Sequence, residues 1–186
     1  MPQPPPQPTP DSHADPAQVR LLALDVDGVL SDGTITYGDR GTELKGFNAK
    51  DGFGITLWRQ AGGEVAIVTG RGGEAVQRRA ADLGIELIVE RTKDKAEAIA
   101  NLARRTRVGA SQMAFVGDDW PDLPAMRAVG YPIAPADAEP EVLAAAAFVT
   151  ARAGGRGAVR DAVMHLLWSR DDGETVRRLL ARYDPA

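Results

Sequence analysis

A chain of 186 residues, 44% hydrophobic and 26% charged, is long enough for one domain with a real core and has the composition of an ordinary soluble globule. Its 22 basic against 26 acidic residues, a net charge of -4, leave no basic footprint for nucleic acid, and no apolar run approaches the roughly 18 residues of a membrane span. Zero cysteines exclude disulfides, thiolate catalysis and Cys-ligated zinc, and fit a cytoplasmic protein; no charged-then-apolar amino-terminal signal is legible.

Seven of the 13 prolines fall between Met1 and Pro16, a stretch with almost nothing that could enter a core. This predicts a disordered or polyproline-like tail over residues 1–17 ahead of one domain, residues 18–170. That domain opens on Leu21-Leu22-Ala23-Leu24, an apolar run ending abruptly in Asp25-Val26-Asp27-Gly28. Such a run reads as a buried strand of a parallel sheet, and ligands of open α/β sheets sit at the carboxyl ends of such strands. If the strand continues, period-two geometry puts Asp25 and Asp27 on one side. Two carboxylates that close call for a cation between them, and Mg²⁺ is the hard cation that suits carboxylates, water and phosphate oxygens. The plainer reading is that an Asp-Gly pair ends a strand and starts a turn.

Thr34 to Phe47 holds two short β-prone runs around Gly-Asp-Arg-Gly, which predicts a hairpin that must lean on the domain or on another subunit. Phe47-Asn48-Ala49-Lys50-Asp51-Gly52 then leads into a helix carrying Ile55, Leu57, Trp58 and Ala61, with Asp51 as a plausible cap. A second buried strand, Glu64 to Arg71, ends in Thr69-Gly70-Arg71. A hydroxyl and free backbone N–H groups at such a turn suit phosphate oxygens, and Arg71 could pair with an anionic substrate group.

A helix from Glu74 to Leu83 and a strand from Ile85 to Val89 follow, then a helix from Ala96 to Arg105. Of the lysines before that helix, Lys93 reads as solvated surface charge. The fourth strand, Met113 to Val116, ends in Gly117-Asp118-Asp119-Trp120-Pro121-Asp122, a second acidic cluster at a strand end. Tyr131 to Ala134 and Phe148 to Thr150 read as outer strands around an alanine-rich helix, Glu139 to Ala146. A Gly-Gly-Arg-Gly loop with Arg156 precedes a final helix, Ala158 to Trp168, in which His165 is structural; residues 171–186 read as a partly helical, charged tail.

The run Asp25 to Gly33 and the run Gly117 to Asp122 resemble motifs of the haloacid dehalogenase superfamily of phosphohydrolases, in particular its small capless 3-deoxy-D-manno-octulosonate 8-phosphate phosphatases. The resemblance covers roughly Leu21 to Arg170. It implies a Rossmann-like α/β three-layer sandwich with a mostly parallel central sheet, a small hairpin flap and no large cap domain. It also implies a sugar phosphate as substrate, a role in lipopolysaccharide sugar synthesis and a homotetramer using the hairpin in its contacts. By the same resemblance Asp25 is the nucleophile, Asp27 the acid/base, and Thr69 and Lys95 hold the phosphoryl group. Mg²⁺ sits on Asp25, Asp118 and the backbone carbonyl of Asp27, with Asp119 and Asp122 orienting that site. Asn48, Lys50, Asp51, Gly70 and Arg71 border the substrate, and Arg156 approaches a neighbouring subunit's site.

Two readings of other classes compete. A phospho-receiver switch shares the acids, the Thr and the Lys, but lacks an acid two residues after the nucleophile, so Asp27 argues against it. A partner-binding module that has lost turnover is the other. Within the enzyme reading, N-acylneuraminate 9-phosphate or another keto-sugar acid phosphate is the alternative substrate.

Overall fold

The apolar run Leu21–Leu24 forms strand β1, with all four side chains buried, inside a six-stranded sheet. The computed structural model describes residues 13–184. After β1 the strands are β2 (Thr36–Tyr37), β3 (Glu43–Leu44), β4 (Glu64–Val68), β5 (Leu87–Val89), β6 (Met113–Val116), β7 (Tyr131–Ala134) and β8 (Phe148–Val149). The helices are α1 (Ala49–Gln60), α2 (Glu74–Asp82), α3 (Lys95–Thr106), α4 (Leu123–Ala128), α5 (Pro140–Ala145), α6 (Ala158–Trp168) and α7 (Glu174–Leu180).

The sheet runs β5-β4-β1-β6-β7-β8, and every pairing in it is parallel. Successive side chains of β1 go to opposite faces. Leu22 and Leu24 join the core under α1, α6 and α7, while Leu21 and Ala23 join the one formed with Ile99, Leu102 and Met126 of α3 and α4. The result is the expected three-layer sandwich. From β5 the chain returns through α3 to β6, on the other side of β1. That reversal opens a crevice at the carboxyl end of β1, where ligands of such sheets bind.

β2 and β3 form the expected hairpin, paired antiparallel with Tyr37 opposite Glu43. Among the described residues no helix is long and apolar enough to cross a membrane. Most of the expected amino-terminal tail lies outside the described residues. Of its described part, Ala14 donates to the Gly130 carbonyl, 2.9 Å, and Asp15 caps a short turn at Pro16–Gln18. At the other end, the segment from Asp171 is not a mere charged tail: α7 sets Val176 and Leu179 into the core with Leu166 and Leu167 of α6.

Asp51 is not the cap of its own helix, since Asn48 takes that place by accepting from the Lys50 N–H at 2.8 Å. Asp51 is 1% exposed and accepts instead from the N–H groups of Gly157, 3.0 Å, and Arg160, 2.8 Å. It thus holds the amino terminus of α6, where unpaired donors and the helix dipole favour a carboxylate. Asp51→Ala strands both donors, and a loss of about 1–3 kcal/mol is expected. In urea this should lower the unfolding midpoint without changing the slope; an unmoved midpoint would refute the capping role.

Candidate active site

The acids reach the crevice because β1 stops at Leu24, not because the strand continues through Asp27. Asp25 still donates its N–H to the Val116 carbonyl at 3.1 Å, and Val26–Leu30 then bends into one wide turn, with Asp27 extended and Gly28 at positive φ, closed by the Ser31 N–H on the Val26 carbonyl, 2.9 Å. Gly28 makes this possible with φ of +86°, and a Cβ there would stand 1.9 Å from Asp118 Oδ2. The turn is buttressed from far along the chain. Gly155 donates to the Val29 carbonyl at 2.9 Å, and a Cβ on Gly154 would lie 1.8 Å from the Gly28 carbonyl oxygen.

Three carboxylates meet there: Asp25, Asp118 and Asp122 each offer an oxygen within 4.8 Å of the others. The Lys95 ammonium stands 2.9 Å from Asp25 and 2.5 Å from Asp122. Of the two lysines, Lys95 is 5% exposed and Lys93 stands in solvent at the cleft wall. Asp122 is fully committed, because its other oxygen accepts from the N–H groups of Asp118, 2.9 Å, and Asp119, 3.3 Å. Asp119 accepts from the Trp120 N–H at 2.6 Å. Asp118 retains a buried Oδ1 without a hydrogen-bond partner, whereas Asp25 Oδ1 is the oxygen that faces Lys95.

Burial, and next the Asp122 charge, push the Asp25 carboxyl up to about 6 against the pull of Lys95. Burial, then Asp122, Asp25 and Asp119, push Asp118 up to about 8. Burial opposes the charge on Lys95, but Asp25 and Asp122 outweigh it and hold the ammonium above the usual lysine range. Carboxylates so crowded that they favour protons are a poor resting state and a good cation cradle.

A cleft of about 510 Å³ brings together Asp25, Asp27, Thr69, Gly70, Arg71, Lys95, Asp118, Asp119 and Asp122, together with Gly33, Thr92, Lys93 and Pro121. Thr69 follows β4 directly, is 1% exposed and accepts from the Arg71 N–H at 3.2 Å. The other expected substrate residues are elsewhere within one chain. Asn48 caps α1, Lys50 lines a separate hollow with Arg152 and Arg160, Asp51 lies under α6, and Arg156 pairs with Asp32 at 2.9 Å. His165 accordingly serves the core, hydrogen bonded to the Tyr131 hydroxyl at 2.8 Å and stacked on Phe148.

Lys45 escaped the sequence reading. Its side chain is 2% exposed, it forms an ion pair with Asp27, and it stands 2.8 Å from Glu43. Arg71 closes the group, 3.1 Å from Glu43 and 3.6 Å from Asp27. The only available signal was strand alternation, which puts Glu43 and Lys45 on one side of the hairpin.

Residues 85–162 match the haloacid dehalogenase-like hydrolase family. The 3-deoxy-D-manno-octulosonate 8-phosphate phosphatase of Escherichia coli is 46% identical over 151 residues, 81% of this chain and 80% of its own. The crystal structure of the Yersinia pestis phosphatase of that name superposes with a TM-score of 0.83 at 42% identity, covering 86% of both chains. The Moraxella catarrhalis phosphatase, in complex with a magnesium ion, a phosphate ion and KDO, gives a TM-score of 0.85 at 36% identity, covering 89% of this chain and 95% of its own. At this identity, over this share of both chains and on this fold, the protein belongs to the 3-deoxy-D-manno-octulosonate 8-phosphate phosphatase family of haloacid dehalogenase-like hydrolases.

Proposed function

We propose that the chain is a Mg²⁺-dependent phosphomonoester hydrolase that acts through an aspartyl-phosphate on 3-deoxy-D-manno-octulosonate 8-phosphate, as a cytoplasmic homotetramer in lipopolysaccharide sugar synthesis. The observation that carries this reading is the meeting of the Asp25 and Asp118 carboxylates, within 4.8 Å of each other at the end of the central strands, with the buried Asp118 Oδ1 left without a protein partner. With the backbone carbonyl of Asp27 they would hold Mg²⁺, which when bound offsets the charge of the substrate dianion.

Asp25 attacks phosphorus in line, and the bond from phosphorus to the sugar oxygen breaks. Asp27 gives a proton to that oxygen, then takes one from the water that cleaves the aspartyl-phosphate. Thr69 and Lys95 hold the remaining phosphoryl oxygens, while Asp119 and Asp122 keep the acidic turn in place. Gly70 and Arg71 line the cleft wall, where they would meet the sugar acid. Arg156 has a side chain 69% exposed and would serve a neighbouring subunit. The hairpin's Ile35, Tyr37 and Leu44, exposed by 41%, 68% and 57%, support an oligomer, because apolar side chains on so small a flap gain by being covered.

The test is phosphate release with and without Mg²⁺ from 3-deoxy-D-manno-octulosonate 8-phosphate, N-acylneuraminate 9-phosphate and simple sugar phosphates. Mg²⁺-dependent preference for the octulosonate supports the reading. Preference for the neuraminate keeps the chemistry and changes the substrate, and silence on every compound overturns the enzyme.

The raised carboxyls make a second measurement informative. Asp25 and Asp118 bind protons more tightly folded than unfolded, so from about pH 4 to pH 8 the metal-free native state holds the excess protons and loses stability as pH rises. Mg²⁺ competes with those protons. The increase in melting temperature on adding saturating Mg²⁺ is therefore expected to be larger at pH 8.5 than at pH 5.5, and an increment independent of pH would place the metal elsewhere.

A further inference from the structure

The hairpin touches the cleft at one charged point. Lys45, on the residue after β3, reaches Asp27 Oδ1, and the same oxygen lies 3.4 Å from the Ser31 hydroxyl. Glu43 backs the ammonium at 2.8 Å and Arg71 joins the ring from the β4 side. An ion pair that only fastened a flap could sit anywhere along the hairpin. This one fastens the flap to the carboxylate that lines the cleft two residues after Asp25. Its ammonium is covered by protein, so it holds one geometry and is little screened by solvent.

We propose that Lys45, held by Glu43, is the positioning residue that aims the Asp27 carboxyl at the leaving oxygen, so that the hairpin supplies the geometry of proton transfer. This rests on Asp27 being the acid/base. A group that orients a reacting side chain is worth roughly ten- to a hundredfold in rate. The effect belongs only to substrates that need the proton. An alkyl sugar phosphate leaves as a strongly basic alkoxide unless protonated, whereas p-nitrophenolate leaves unaided.

The experiment compares kcat/KM, which reads through formation of the aspartyl-phosphate, for 3-deoxy-D-manno-octulosonate 8-phosphate and p-nitrophenyl phosphate. Lys45→Met is expected to lower the sugar phosphate value at least tenfold more than the p-nitrophenyl value, with Lys45→Arg restoring most of the difference. Glu43→Gln, which leaves the hairpin's own pairing intact, should shift the ratio the same way and serves if Lys45→Met fails to fold. Equal losses on both substrates from Lys45→Met and Glu43→Gln would mean that Lys45 merely fastens the flap, and would overturn the proposal. Asp27→Asn separates the two levels: it must discriminate between the substrates even more strongly, and if it does not, the acid/base assignment fails first and the positioning role with it.

Discussion

Asp25→Asn is expected to release phosphate at less than about one ten-thousandth of the parent rate, the scale on which removing a nucleophile acts. The amide keeps the shape and cannot carry the phosphoryl group. Folding should not suffer, because the charge removed is an awkward one. Asp25 is buried against Asp122 and its carboxyl is pushed up to about 6, so a neutral side chain relieves repulsion while giving up the attraction of Lys95. The melting temperature of the metal-free variant is expected to equal or exceed that of the parent, an exchange of stability for function common at active sites. Retention of one per cent of turnover, with the fold intact, would remove Asp25 as the nucleophile.

Lys95→Met should damage both properties. The ammonium is the buried cation between Asp25 and Asp122, at 2.9 and 2.5 Å. Removing one partner of a buried ion pair strands the other charge, and about 3–5 kcal/mol is the usual penalty. Loss of a donor aimed at the developing charge would lower turnover by about 10²- to 10³-fold. The two effects separate on adding Mg²⁺, which returns positive charge to the cluster and should recover part of the lost melting temperature without restoring the rate. A stability loss under 1 kcal/mol would show that the carboxylates do not depend on Lys95.

The strands that build the site were legible because each is a short apolar run ending in polar residues. Met113–Val116 is the clearest, with Asp118 just beyond it. That rule places Asp25, Thr69 and Asp118 at one edge with no knowledge of strand order. It fails where a residue's partner lies far along the chain or on a face that periodicity does not fix. Asp51 looks like a local cap because its true partners, Gly157 and Arg160, are invisible from its neighbourhood. Lys45 goes unmarked because two residues of strand do not say which side of a hairpin meets the domain. Val176 and Leu179 are two apolar residues in a charged stretch, too few to mark a helix that enters the core.

The central place of β1 also sets the order in which the molecule can be completed. Leu21 is in register with Glu64 on one side and Met113 on the other, and the turn after β1 is braced by Gly154 and Gly155. During synthesis β1 can pair with β4 early, but its other edge must wait for Met113–Val116 and its turn for Gly154 and Gly155. Contacts this distant in sequence slow folding and leave the open edge of β1 exposed to mispairing until β6 arrives. A carboxy-terminal truncation before Gly154 would leave the acids of Asp25 and Asp118 in the chain but take away the backbone that shapes the turn between them.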